Sequence, residues 1–261
     1  MPEFINRGIR LEYQAAGEGI PLVFLHGLGG SIRQIENVYE EIEGVRLITM
    51  NQQGHGKSGA DWETLDFDRM GDDVAALLKH LKIGQAYFAG ISMGAAVSLN
   101  VAVRYPQSVK KMLLIRNAWT DRPMSSEVRQ AYRDMGLALR EGGVEAFYRT
   151  RGWEIVKKAS AYTRNAFTSP FQDPVSVENW QKFLILPGKT PVTSAESLRN
   201  IKIPTAVLAN RNDLCHPFAY GAYIHEQIPH SSLTEIPDKD TDGETHRRMI
   251  HQAVFDMLRP S

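Results

Sequence analysis

Residues 87–96, Tyr-Phe-Ala-Gly-Ile-Ser-Met-Gly-Ala-Ala, run a short apolar stretch straight into a helix start built of small residues. Between the two lies Gly90-Ile91-Ser92-Met93-Gly94. A strand that becomes a helix within about two residues forces the residue at the apex into a strained backbone conformation. Strand and helix nearly touch there, so the flanking positions must lack bulk, and Gly90 and Gly94 meet that need. The turn lifts the Ser92 hydroxyl clear of the backbone, beside the first amides of the helix, where partial positive charge collects. Gly-x-Ser-x-Gly also occurs as an ordinary tight turn, and the rest of the chain must distinguish a nucleophile from a turn.

Around this unit the chain alternates. Residues 20–25, 45–50, 111–115 and 204–209 are continuous apolar runs, as expected of strands buried on both faces of a parallel sheet. Residues 9–13 and 233–236 read as two further strands. Asp66 to Leu81 carries Met70, Val74, Leu77, Leu78 and Leu81 at helical spacing, with acids early and Lys79 and His80 late, matching the helix dipole. Shorter helices are expected near 34–42 and 218–227, and a closing one from Thr245 to Leu258 after a polar loop at 239–244. Strands alternating with helices give an α/β fold with a sheet covered on both sides. Between about Thr120 and Arg199 the alternation stops. That stretch offers amphipathic pieces at 127–140, 143–151, 154–167 and 177–184, separated by prolines and rich in aromatic residues. Residues 1–119 and 200–261 are therefore read as the core, and 120–199 as an inserted helical cap.

In an open parallel sheet, functional groups collect where strands end and helices begin. Ser92 is a nucleophile only if a base takes its proton. Asp213 follows the strand at 204–209, where a carboxylate could equally be a helix cap. His246 opens the last helix. A histidine serves as base near neutral pH, with a carboxylate behind it to fix its tautomer. His216 lies on the same turn as Asp213 and is read as capping or lining the mouth. The alternative acid, Asp121, lies beyond the strand at 111–115. His26 and His55 sit in glycine-rich loops and are read as structural.

With His26-Gly27-Leu28-Gly29-Gly30, Gly54-His55-Gly56-Lys57-Ser58, the Ser92 pentapeptide, Arg104-Tyr105-Pro106 and 204–213 together, the chain resembles the α/β-hydrolase superfamily over essentially its full length. The resemblance implies a mostly parallel eight-stranded sheet with one antiparallel edge strand, and a helical cap inserted after the sixth strand. It also implies a triad of Ser92, Asp213 and His246, and an oxyanion hole formed by the backbone N–H groups of Leu28 and Met93. Two departures stand out. Asn51-Gln52-Gln53 replaces the family's Asp-x-Arg, which suggests two amides bonded to each other in place of an ion pair. And no histidine directly follows the last strand, so His246 requires the intervening loop to fold back.

The expected activity is hydrolysis of a small to medium carboxylic ester, lactone or thioester through an acyl-enzyme on Ser92, with Gly27 and Trp119 at the pocket wall. The same three side chains would serve a hydrolase of carbon–carbon bonds in diketone-like substrates. A sensor on the same fold, binding a small molecule without turning it over, is the non-enzymatic alternative. Thirty basic and thirty acidic residues cancel, so nothing points to a nucleic-acid or membrane partner. No grouping has metal-ligand spacing, and no dinucleotide fingerprint appears. No cofactor is expected. One cysteine, Cys215, rules out an internal disulfide and fits a reducing compartment. With no signal pattern at the start, a cytoplasmic monomer or homodimer acting on a small molecule is expected.

Overall fold

The computed structural model describes residues 1–259. Its strands are β1 (Glu3–Asn6), β2 (Ile9–Ala16), β3 (Ile20–Leu25), β4 (Val45–Met50), β5 (Ala86–Ile91), β6 (Val109–Ile115), β7 (Thr205–Ala209) and β8 (Ser231–Glu235). They form one sheet of eight in the order β1-β2-β4-β3-β5-β6-β7-β8. From β4 through β8 every pairing is parallel, and β2 runs antiparallel to β4. The antiparallel strand is thus second from the edge. Outside it lies β1, which the sequence reading lacks: four residues with only Phe4 buried show no alternation to detect. A two-residue hairpin joins β1 to β2 through Arg7 and Gly8, both at positive φ, the geometry whose twist matches paired strands.

Alternate side chains along each central strand enter two apolar clusters. Val23, Leu25, Ile48 and Phe88 face one side; Leu22, Phe24, Leu47 and Tyr87 face the other. That is why these strands read as unbroken apolar runs. The helices are α1 (Ile32–Glu36), α2 (Phe67–His80), α3 (Met93–Arg104), α4 (Ser126–Glu141), α5 (Gly143–Phe147), α6 (Arg151–Val156), α7 (Ala161–Thr168), α8 (Pro174–Glu178), α9 (Gln181–Ile185), α10 (Ala195–Arg199), α11 (Phe218–Gln227) and α12 (Lys239–Leu258). Apolar residues of α2, α3 and α11 join the first cluster, and those of α1 and α12 the second.

Seven helices, α4 to α10, lie between β6 and β7. Their buried residues, among them Tyr132, Met135, Phe147, Phe167 and Phe183, belong to the same apolar cluster as α2 and α3. The expected helix at 154–167 is two: Ser160 caps Thr163 N–H and starts α7 afresh. Likewise 177–184 divides into α8, capped by Asp173, and α9. The expected polar loop at 239–244 is the first turn of α12, capped by Asp238 and broken from the remainder at Asp242 (φ −154°, ψ 82°).

Candidate active site

At the end of β5, Ser92 has φ 56° and ψ −108°, a left-handed position that a side chain adopts only under constraint. Neighbouring backbone supplies the constraint. Its N–H donates to the Ile115 carbonyl of β6, and its carbonyl accepts from Ala96 N–H in the first turn of α3. A Cβ on Gly90 would lie 2.2 Å from the Gly94 carbonyl oxygen, and one on Gly94 2.2 Å from that of Leu25. Both glycines are therefore fixed by close approach of strand and helix, as their spacing suggests.

The Ser92 hydroxyl donates to Nε2 of His216 at 2.8 Å. Nδ1 of the same ring lies 2.9 Å from Oδ1 of Asp213, which also accepts the backbone N–H groups of Cys215 and His216. The other carboxylate oxygen takes Nη2 of Arg116. Asp213 and Arg116 are both nearly buried, at 5% and 3% exposure of their side chains. Burial opposes the Asp213 charge, but the His216 and Arg116 contacts outweigh it and hold the carboxyl far below the usual carboxylate range. Burial depresses His216 below the ordinary histidine value, with Asp213 pulling the other way.

The sequence expectation for the base is corrected here. His246 makes no hydrogen bond to Ser92. Its Nδ1–H donates to the Pro237 carbonyl at 2.8 Å, and its Nε2 has no partner among the described residues. The helical register explains this: His246, Ile250 and Val254 form one buried stripe of α12, which faces the sheet. His216 is the residue that the sequence reading set aside, because a base three positions from its acid looked too close. The turn resolves the crowding, since one carboxylate oxygen serves both the turn amides and the ring while the other serves Arg116. The missing histidine after β8, together with Asp213-x-x-His216 after β7, was the signal available.

Trp119 is likewise corrected. It is fully buried, packs edge-on against Phe67 at 5.1 Å between ring centroids, and does not line the site. Gly27 and Leu28 do line it, in a cavity of about 60 Å³ whose wall also includes Arg116, Tyr132, Tyr162 and Cys215. The Tyr162 hydroxyl receives Lys239 Nζ at 3.0 Å and Arg116 Nη1 at 3.4 Å. Burial alone would raise the Tyr162 phenol, but those two cations bring it below its ordinary value.

The loop after β3 is held from several sides. Gly27 N–H donates to Gln34 Oε1, the Gly27 carbonyl accepts His26 Nδ1–H and Gly30 N–H, and Gly29 N–H donates to His55 Nε2. The N–H of Leu28, between these pinned neighbours, has no partner among the described residues; neither has that of Met93 at the start of α3. The neutral amides are also corrected, because they do not bond each other. Asn51 donates to the buried Glu12 and accepts Ile32 N–H, whereas Gln53 donates to Asp73 and accepts Asp61 N–H. Each amide thus serves its own carboxylate.

Buried histidines, His26, His55, His216 and His246, make stability depend on pH. Burial lowers His26 and His246 to about 4, against 6.5 for a free imidazole. Between those values the unfolded chain binds more protons than the folded one, so stability is full above pH 6.5 and falls as pH drops towards 4. The expected loss is about 3 kcal/mol per histidine. Urea midpoints at pH 7.5 and 4.5 measure it; a slope that His246→Gln leaves unchanged would contradict the assignment for that ring.

The chain belongs to the alpha/beta hydrolase fold family, whose model matches residues 20–240. Fold and family make it a hydrolase-class enzyme. It is 27% identical over 241 residues to the AB hydrolase superfamily protein YisY of Bacillus subtilis, covering 86% of each chain. It is 26% identical over 225 residues to 3-oxoadipate enol-lactonase 2 of Acinetobacter baylyi, covering 82% of this chain and 78% of the relative. Among solved structures, MGS-M2, an alpha/beta hydrolase from a Medee basin deep-sea metagenome library, superposes with a TM-score of 0.77 at 19% identity, covering 100% and 99% of the two chains. Among the described residues no helix is long and apolar enough to cross a membrane.

Proposed function

We propose that the protein is a serine hydrolase of small carboxylic esters or lactones, acting through an acyl-enzyme on Ser92 with His216 as its base. The observation that carries this reading is the unbroken contact from Ser92 Oγ to His216 Nε2 and from His216 Nδ1 to Asp213. His216 accepts the hydroxyl proton as Ser92 attacks the carbonyl, and Asp213 holds the ring with Nε2 facing the serine and stabilises the imidazolium. The proton then passes to the leaving alcohol, and a water activated by the same ring releases the acid. The N–H groups of Leu28 and Met93 receive the developing oxyanion, a contribution of about 100- to 1000-fold per donor. Residues 120–199 act as the cap over this chamber.

A cavity of about 60 Å³ is small beside the cleft next to it, which favours a short acyl portion. A lactone is an internal ester, and one relative is named an enol-lactonase, which keeps cyclic substrates within the reading. Cytoplasmic location belongs to the same reading, supported by the single buried cysteine.

Rapid quenching during turnover of a short-chain nitrophenyl ester, followed by peptide mass analysis, tests the acyl-enzyme. The expected result is the acyl mass on the Ser92 peptide and none in Ser92→Ala. Tight ligand binding with no turnover on any ester and no acyl adduct would instead make the protein a sensor on a hydrolase scaffold.

A further inference from the structure

A second, larger space lies beside the Ser92 chamber. This cleft of about 700 Å³ borders Gly29 and Gly30 of the loop after β3, and Gln34 lines both spaces. Four cationic side chains wall it: Arg33, Lys57, Lys182 and Lys239. Among the described residues none of the four takes part in an ion pair. Two acids also stand in the wall, Glu12 and Asp173, and against four cations they leave an excess of two positive charges. Glu12 accepts Asn51 Nδ2 and Lys57 N–H, and Asp173 accepts Val175 N–H, Ser176 N–H and the Ser176 hydroxyl at the start of α8.

Lys182 is the most telling of the cations. Its side chain is 1% exposed, and its ammonium has one hydrogen bond, to the Gly54 carbonyl at 2.9 Å. An ammonium has three protons to donate and is costly to bury without an opposite charge. Burial lowers Lys182 to about 8, with the Asp173 carboxylate in the same wall pulling the other way. Lys239 ties the cleft to the chemistry, because its Nζ donates to the Tyr162 hydroxyl in the wall of the Ser92 chamber. A concave surface with an excess of unpaired cations concentrates anions.

We propose that this cleft is the subsite for an anionic group, a carboxylate or a phosphate, borne on the leaving-group side of the substrate. The inference rests on the ester-hydrolase reading: the Ser92 chamber takes the short acyl group, so the remainder of the substrate occupies the larger space past Gln34. The substrates are then short-chain acyl esters of an acidic alcohol.

Three esters that share an acetyl group test this: 4-acetoxybenzoate, its neutral methyl ester, and 4-acetoxyphenyl phosphate. The expected result is a kcat/KM at least about tenfold higher for one or both charged esters, expressed mainly in KM, with the preferred ester showing which anion is used. The exposed double variant Arg33→Gln/Lys57→Gln should reduce the ratio of charged to neutral kcat/KM about tenfold, and Lys182→Met at least as much. If Lys182→Met fails to fold, the surface variant decides. Equal KM for charged and neutral esters, or a ratio that the double variant leaves unmoved, overturns the proposal. Calorimetry with 4-hydroxybenzoate and phenyl phosphate on Ser92→Ala separates the two readings. Binding that weakens in the Ser92→Ala/Arg33→Gln/Lys57→Gln variant, beside no turnover of any ester, keeps the subsite and removes the esterase; absent binding beside brisk neutral-ester turnover does the reverse.

Discussion

Replacing His216 by alanine is expected to lower kcat on a short-chain ester by a factor of about ten thousand to a million, while His246→Ala keeps it within about tenfold. The asymmetry follows from what each ring touches. His216 receives the Ser92 hydroxyl at 2.8 Å and is oriented by Asp213, whereas His246 donates to the Pro237 carbonyl and makes no hydrogen bond to Ser92. Steady-state kinetics on the two variants, with circular dichroism to establish folding, makes the comparison. A pH profile adds a second readout. The base must be neutral to accept the serine proton, and His216 lies below the ordinary histidine value, so the acid limb of kcat/KM should fall below pH 6.5. Should His246→Ala be the dead variant, the contact between Ser92 and His216 plays no part in catalysis.

The Arg116–Asp213 pair carries the second large effect, and its two halves should separate. Asp213→Asn leaves the shape but loses the charge that holds the His216 tautomer, and kcat should fall by about ten thousandfold. Arg116→Met instead leaves a nearly buried carboxylate without its guanidinium, a loss of about 3–5 kcal/mol of stability. For a chain of this length that is about a 10 °C drop in Tm. The double variant Arg116→Met/Asp213→Asn removes both charges and should recover part of that stability. Thermal melts on the cycle decide: losses that simply add would mean that the two side chains do not stabilise each other.

Most of the scaffold was legible because burial on two faces leaves its mark in a string. The runs at 20–25 and 45–50 coincide with β3 and β4, and 218–227 with α11. Ser92 was equally legible, since Gly90 and Gly94 are demanded by contacts within a few residues of the serine. Strand β1 was not, because a four-residue edge strand buries too little to show a pattern. The helices between β6 and β7 resisted for a related reason: Ser160 and Asp173 restart helices where apolar spacing alone runs on.

The site divides along the same line. Sequence by itself determined the central strands, the strained turn that presents Ser92, and the carboxylate after β7, because each leaves its mark in residues adjacent in the chain. Only the tertiary structure decided which imidazole meets the serine, why Trp119 is core, and how four distant cations come to wall one cleft. Those outcomes depend on where separate elements lie against one another. The buried stripe of α12 takes His246 to the sheet, while the turn braced by Arg116 gives His216 to Ser92, and neither can be read from spacing along the chain.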